Sequence, residues 1–297
     1  MKRFIIIISF VLFCAVNSLY VSAQNSAHEF SAYSSLGLSS LRYQVLQGTS
    51  SGRFGGDFGL GYTFYRSNEQ ITKTGSVNHK QWGVFGGLGL GLYNAKATLN
   101  SGDRITDQLK DDEGDNFILT TNLSGFEEIQ KLMCLNIPVM VQFNTGLFYA
   151  MGGIKASVPL KGTFQSTVTA LSNEAYYPDL DNWAKSQTFA GYGAFSDKTY
   201  DGKFDLGVNV MLAFEAGINM SLSDNFTLYC GAYFDYGLNN AGKGNHQKFV
   251  NYYAEDPENF TVNSVLSSYS DDRNSTTFTD KIKAMAVGVK IRVAYRK

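Results

Sequence analysis

The sequence holds 297 residues, 44% of them apolar, 14% aromatic and only 17% charged, with 30 glycines against 4 prolines. A formal net charge of −1 supplies no basic surface for nucleic acid, and the scarcity of charge beside abundant Gly and Tyr excludes a disordered chain or a coiled coil. A mean hydropathy of −0.15 excludes a bundle of membrane helices, each needing about 20 consecutive apolar residues, but admits a membrane β-barrel, whose lipid-facing side chains alternate with polar ones.

Lys2 and Arg3 precede an apolar run over 4–16, and Val21-Ser22-Ala23 offers small residues to a signal peptidase. Residues 1–23 therefore read as a secretory signal peptide, leaving 24–297 as one exported domain. Cys14 follows Leu12-Phe13 rather than small residues, so no lipid anchor is expected. Cleavage removes two cations and no acid. Only Cys134 and Cys230 remain, too few for a disulfide scaffold.

Eight segments with period-two alternation follow, the mark of strands with one apolar face. The first, near 29–41, puts Phe30, Ala32, Leu36 and Leu38 on one side. The second alternates Phe54, Phe58, Leu60, Tyr62 and Phe64 with Gly55, Asp57, Gly59, Gly61 and Thr63. In the third, Trp82, Val84, Leu88, Leu90 and Leu92 oppose Gly83, Gly87, Gly89 and Gly91. The fourth sets Met133, Leu135, Ile137, Val139, Val141 and Phe143 against Cys134, Asn136, Pro138 and Gln142.

After Asn144-Thr145-Gly146, the fifth carries Phe148, Ala150, Ile154, Val158 and Leu160 against Tyr149, Lys155 and Lys161. The sixth begins at Leu206 and continues through Val208, Val210, Leu212, Phe214, Ala216, Ile218 and Met220, with Glu215 on its opposite face. Ser223-Asp224-Asn225 turns it into the seventh, where Phe226, Leu228, Cys230, Phe234 and Leu238 oppose Tyr229, Gly231, Tyr233 and Asp235. The last sets Met285, Val287, Val289, Ile291, Val293 and Tyr295 against Gly288, Lys290, Arg292 and Ala294.

These segments exceed the 5–6 residues usual in soluble strands and reach the roughly 9–11 that cross a bilayer at a tilt. Tight turns alternate with long polar stretches near 95–127, 162–204 and 239–279, the pattern of short periplasmic turns and long extracellular loops. The connection near 66–79 is longer than a tight turn. The expected fold is all-β: an eight-stranded antiparallel up-and-down transmembrane β-barrel with long extracellular loops.

Leu135-Asn136-Ile137-Pro138-Val139, followed by a turn and Phe148-Tyr149-Ala150-Met151-Gly152-Gly153, resembles the L-x-I-P strand and Gly-rich partner of the outer-membrane β-barrel (porin-like) family. Phe204-Asp205-Leu206-Gly207 through Tyr236-Gly237-Leu238 resembles that family's sixth and seventh strands, and Gly55-Gly56-Asp57-Phe58-Gly59-Leu60-Gly61-Tyr62 its second. The resemblance covers nearly all of the exported chain, carries no catalytic residues, and implies an eight-stranded barrel in a Gram-negative outer membrane. Tyr295-Arg296-Lys297 departs from it in lacking a terminal aromatic.

Chemistry is sparse. The glycines of 86–91 have Gly-x-Gly spacing, but no helix follows, so they relieve crowding rather than hold a dinucleotide. His28, His79 and His246 have no metal-ligand spacing, and no nucleophile has a positioned base, so neither an enzyme nor a cofactor is expected. Asp111-Asp112-Glu113-Gly114-Asp115 reads as a solvated acidic loop matching no calcium-loop template, and Asp201-Gly202 as a hairpin turn.

The most informative chemistry is inward. Asp57, Lys155, Glu215, Asp235, Lys290 and Arg292 share the lumen face, where burial demands pairing, so they are expected to form a hydrogen-bonded network in an interior just wide enough for side chains. Glu215 is expected to reach Tyr233 and Asp235, with Lys290 or Arg292 as counter-ion. Tyr176, Tyr177, Trp183, Tyr252 and Tyr253 lie in the long loops, where they either pack the loops or contact a surface glycan or protein. The expected role is a non-enzymatic outer-membrane barrel in contact with membrane lipid, its loops acting at the cell surface. A small-solute porin with extra strands, for which Phe164, Val168 and the stretch 189–195 are candidates, is the alternative. A lipid A-modifying enzyme is the remote one.

Overall fold

The computed structural model describes residues 26–43, 45, 48–67, 80–244, 246–270 and 276–296. The expected signal peptide, His79 and most of the 66–79 connection lie outside the described residues. In chain order the strands are β1 (Ser26–Arg42), β2 (Gly48–Ser67), β3 (Lys80–Leu99), β4 (Asp103–Lys110), β5 (Asn116–Ser124), β6 (Glu127–Thr145), β7 (Phe148–Tyr177), β8 (Asn182–Ala184), β9 (Gly193–Lys203), β10 (Asn209–Ser221) and β11 (Phe226–Gly237). Five short strands follow, β12 (Gln247–Lys248), β13 (Val250–Asn251), β14 (Thr261–Val262), β15 (Ser268–Ser270) and β16 (Thr276–Thr277), before β17 (Lys283–Arg296).

The principal sheet is antiparallel, in the hydrogen-bonded order β10–β11–β17–β1–β2–β3–β6–β7, and β7 pairs in turn with β10 from Asn209↔Ser157 to Ile218↔Phe148. Each of these eight strands therefore has two antiparallel neighbours. Its polarity is the reverse of a soluble sheet. The buried face carries Asp57, Asn136, Lys155, Glu215 and Arg292, while Leu60 is 69% and Val289 63% exposed on the other. Gly146, at φ +56, makes the tight β6–β7 turn in a conformation that suits glycine, and the Leu222 amide donates to the Phe226 carbonyl at 2.8 Å in the β10–β11 turn.

Several segments differ from expectation. Most of 95–127 and 162–204 is strand rather than loop: β3 runs to Leu99, β4 and β5 form a hairpin beside β7, and β7 is 30 residues long. Their outer faces are polar, so they lack the apolar stripe that marks the other strands. Asp201 and Gly202 are not a turn. They lie within β9, opposite Gln165 and Phe164. Leu206 precedes β10, is buried, and bridges to Gly242.

The β6–β7 register shifts at Met133 and Cys134, which face Lys161 and Pro159. This bulge inverts the alternation beyond Leu160. Lys161 is thereby exposed, not inward, while Phe164 and Val168 are buried. Finally, 239–279 is no free surface loop: Phe249, Phe260, Val265, Leu266 and Phe278 are buried in one apolar cluster with Leu41, Leu132 and Phe164. This segment packs over one end of the polar face.

Candidate functional site

The inward face is built in levels, with one acid in each of the first two and two in the third. At the level of the tight turns, Glu29 is fully buried and accepts hydrogen bonds from the Tyr229 hydroxyl at 3.0 Å, the Tyr65 hydroxyl at 3.3 Å and Arg296 Nη2 at 3.1 Å. Arg296 Nη1 also donates to Gln81 Oε1 at 3.1 Å, so the penultimate residue ties the end of β17 to β1 and β3.

One level further in, Glu215 of β10 faces Lys290 of β17 at 3.1 Å and accepts the Tyr149 hydroxyl of β7 at 2.8 Å. Gly231 makes room for this contact: a Cβ there would lie 2.5 Å from the Tyr149 hydroxyl and 2.6 Å from the Ala216 carbonyl oxygen. The expected contact of Glu215 with Asp235 is not present, because Asp235 stands opposite Ala213 and turns to Lys155. Tyr233 is the residue opposite Glu215 in the ladder.

The third level is a three-strand tie. Lys155 Nζ of β7 is 2.5 Å from Asp235 of β11 and 3.3 Å from Asp57 of β2. Asp57 also accepts the Ser35 hydroxyl at 2.5 Å, and Asn136 adds a contact at 3.5 Å while accepting from Ser157. Two carboxylates on one ammonium, each with further donors or a close ion pair, meet the condition for burying charge.

Arg292 corrects the expectation of a fully paired network. It is 1% exposed, yet among the described residues it makes no ion pair; its guanidinium lies 4.1 Å from the Tyr229 ring centroid, 5.3 Å from Phe85 and 5.7 Å from Tyr149. The faces of these rings, which carry negative charge, take the place of carboxylates. Lys290 combines both solutions, sitting 4.3 Å over Tyr33 as well as on Glu215. Cys134 and Cys230 are free, the first buried on β6 and the second half-buried on β11.

The end of the sheet away from the tight turns holds a further buried acid that alternation does not reveal. Glu128, at the start of β6, is fully buried and accepts from Ser264 Oγ at 2.6 Å, Gln130 Nε2 at 2.7 Å, the Val265 amide at 3.0 Å and Ser166 Oγ at 3.2 Å. It latches the 239–279 segment to the strand wall. Burial outweighs these donors and raises its carboxyl above the ordinary value. The one hint in the sequence is an acid inside an alternating stretch with Gln130 beyond it, which reads equally well as loop.

The loop aromatics divide into two groups. Tyr177 and Tyr252 are half-buried around Phe117 and share a hydroxyl chain through Tyr192, at 2.9 and 3.4 Å; burial raises the Tyr192 hydroxyl. They pack the tip. Tyr176 and Trp183 lie 4.9 Å apart at the surface with Lys185 over the indole at 4.9 Å; Phe189 and Leu180 are exposed nearby in sequence, and Tyr253 is exposed in the later segment. Asp111 to Asp115 form the β4–β5 turn: Asp111 Oδ1 accepts the amides of Glu113 and Asp115 at 3.1 and 2.8 Å, and Gly114 has φ +90. His28 meets the Tyr62 hydroxyl at 2.5 Å, and His246 is exposed. Among the described residues no group of three or more His, Cys, Asp or Glu could hold a metal ion.

No protein-family model and no curated protein matches the sequence. Among solved structures, the chain is similar to Ail, the attachment invasion locus protein of Yersinia pestis, at 10% identity and a TM-score of 0.32, covering 92% of this chain and 99% of that one. It is similar to Neisserial surface protein A at 11% identity and 0.27, covering 91% and 99%, and to the outer membrane protease OmpT from Escherichia coli at 11% and 0.29, covering 93% and 98%. At TM-scores this low the likeness carries no weight, and the fold rests on the strand ladders themselves.

Proposed function

We propose that the eight paired strands are a closed up-and-down barrel in the outer membrane of a Gram-negative cell, non-enzymatic, with a filled lumen and an elevated surface for docking. Closure is supported by the β7–β10 ladder, which leaves no unpaired edge among the eight. The apolar outer face from Trp82 to Leu92 measures about 34 Å along β3, or about 26 Å in height at a 40° tilt, which fits the apolar band of such barrels. Trp82 against Phe143 at 4.6 Å and Phe226 against Tyr295 at 5.3 Å supply an aromatic girdle at the short-turn side. Short turns then face the periplasm, and export by a cleaved signal peptide accounts for the N-terminus.

The observation that carries the docking role over a conducting one is the tie of Lys155 to Asp57 and Asp235, which spans three walls beneath a mouth packed with Phe249, Val265 and Leu266. Eight strands leave room for little else. Of the additional strands, β9 pairs onto β7 beyond its ladder with β10, β5 and β8 pair onto it beyond its ladder with β6, and β4 pairs onto β5, so they lengthen the wall rather than widen the ring. Tyr176, Trp183, Tyr253 and the neighbouring Phe189 offer flat apolar faces suited to a surface glycan or a protein.

Conductance across a planar bilayer tests this reading. The expected trace is flat; steady single-channel steps would overturn the filled lumen in favour of a small-solute porin. A gel-mobility shift on boiling tests the barrel itself, and deacylation or palmitoyl transfer on purified lipid A would overturn the non-enzymatic role.

A further inference from the structure

The bulge at Leu160 has a chemical consequence. It turns Lys161 from the interior to the outer face, at the level of Met133 and immediately beyond the exposed Leu160. Thr163, the next outward residue of β7, is flanked in register by Lys131 of β6 and Lys203 of β9. All three lysines are exposed. Two strand spacings separate the Cα atoms of Lys131 and Lys203 by about 10 Å, and Lys161 lies about 8 Å from each, one pleat closer to the apolar belt. Flexible stems reaching about 6 Å bring three ammoniums over one point, with the Thr163 hydroxyl beneath them.

The surrounding acids do not neutralise this triangle. Glu127 is held by Lys96 at 2.5 Å and Asp205 by Lys243 at 3.6 Å, while Asp201 accepts Gln165 Nε2 at 3.1 Å one pleat further out. Among the described residues Lys131, Lys161 and Lys203 make no ion pair. Three unpaired cations at the upper edge of an apolar belt match a lipid whose acyl chains lie along Leu160, Val139 and Ile154 and whose phosphate sits at the membrane surface.

We infer that Lys131, Lys161, Lys203 and Thr163 form a binding site for the phosphate of an outer-leaflet membrane lipid. This rests on the membrane-barrel reading and names a partner for one patch of its wall. A belt of apolar side chains alone accepts any lipid; the triangle selects a phosphorylated headgroup at one position around the circumference.

The test uses the full exported chain refolded in phosphatidylcholine vesicles doped with fluorescent diphosphoryl lipid A, with dephosphorylated lipid A and inorganic phosphate as comparison probes. Energy transfer from a dye at the β7–β9 face reports lipid retention. Each of K131Q, K161Q and K203Q is expected to weaken retention about five-fold and the triple variant about 100-fold. R104Q/K110Q/K281Q, which removes the same charge elsewhere, is expected to leave retention within two-fold of wild type (about 0.4 kcal/mol). The dephosphorylated lipid is expected to bind as weakly as the triple variant, and millimolar inorganic phosphate to compete poorly. A heat-modifiable gel shift confirms insertion of every variant. Absence of that shift in the wild type overturns the barrel reading and this site with it. A normal shift with equal retention by wild type and triple variant overturns the lysine site alone, as does equal weakening by the remote triple.

Discussion

Glu215 offers the most direct test of the interior. Its carboxylate has two polar partners, the Lys290 ammonium at 3.1 Å and the Tyr149 hydroxyl at 2.8 Å, and it is 3% exposed. Glu215→Leu removes both contacts and leaves Lys290 buried with the Tyr33 ring and the longer-range attraction of Asp57 and Asp235 in place of its ion pair. Removing one member of a buried pair costs about 3–5 kcal/mol, most of it from the charge left behind. Glu215→Gln keeps the shape and an acceptor for Lys290 and Tyr149, so the expected loss is about 1–2 kcal/mol. The double variant E215L/K290M removes both charges together and is expected to lie within about 2 kcal/mol of wild type, more stable than E215L alone. Urea unfolding of the four proteins in lipid vesicles, followed by tryptophan fluorescence and gel mobility, supplies the comparison. If E215L and E215L/K290M unfold at the same urea concentration, Lys290 is not stranded by the loss of Glu215 and the reasoning about the interior is wrong.

Other outcomes follow from the same contacts. Lys155→Met should cost about 3–5 kcal/mol, because Asp235 loses its ion pair while Asp57 retains Ser35; adding Asp235→Asn should recover most of the loss, measured by the same titration. Glu128 has a folded value raised above its ordinary 4.5 by burial, so its contribution is complete below that pH and is lost as pH rises through the raised value. Protease cleavage within 239–279 should therefore quicken as pH rises above the ordinary carboxyl value in the wild type and stay flat in Glu128→Gln; equal slopes would remove Glu128 as the latch. Cys134 and Cys230 should give no linked peptide in mass spectra of the unreduced protein, and maleimide should label Cys134 only after unfolding.

How far the sequence could be read depends on contrast between the two faces of a strand. Within the belt, Asp57, Glu215 and Lys290 stand among apolar neighbours at odd spacing, and a period of two separates them without ambiguity. Outside it, the outward faces of β4, β5 and the far half of β7 are mostly polar and Asp107, Thr121 and Ser166 interrupt their inward faces, so strand and loop look alike. A bulge is invisible to alternation, which is why Lys161 reads as inward and stands outward. Burial can be inferred for Arg292, but its choice of three aromatic rings over a carboxylate depends on where Phe85, Tyr149 and Tyr229 converge from three strands. Glu29 and Glu128 were missed for a related reason: each sits at a strand end, where pattern gives the least support.

The length of β7 has a mechanical meaning. Its 30 residues extend about 100 Å, roughly three times the thickness of a hydrocarbon core, and one strand runs from the β6–β7 turn to Tyr177 with a single bulge at Leu160. A pull on the exposed tip is directed along the strand axis, so the ladders to β6, β9 and β10 are loaded in shear, many hydrogen bonds resisting together rather than opening one by one. The wall thus carries such a pull along one strand from the tip to the β6–β7 turn, and the bulge at Leu160 is where that strand can bend.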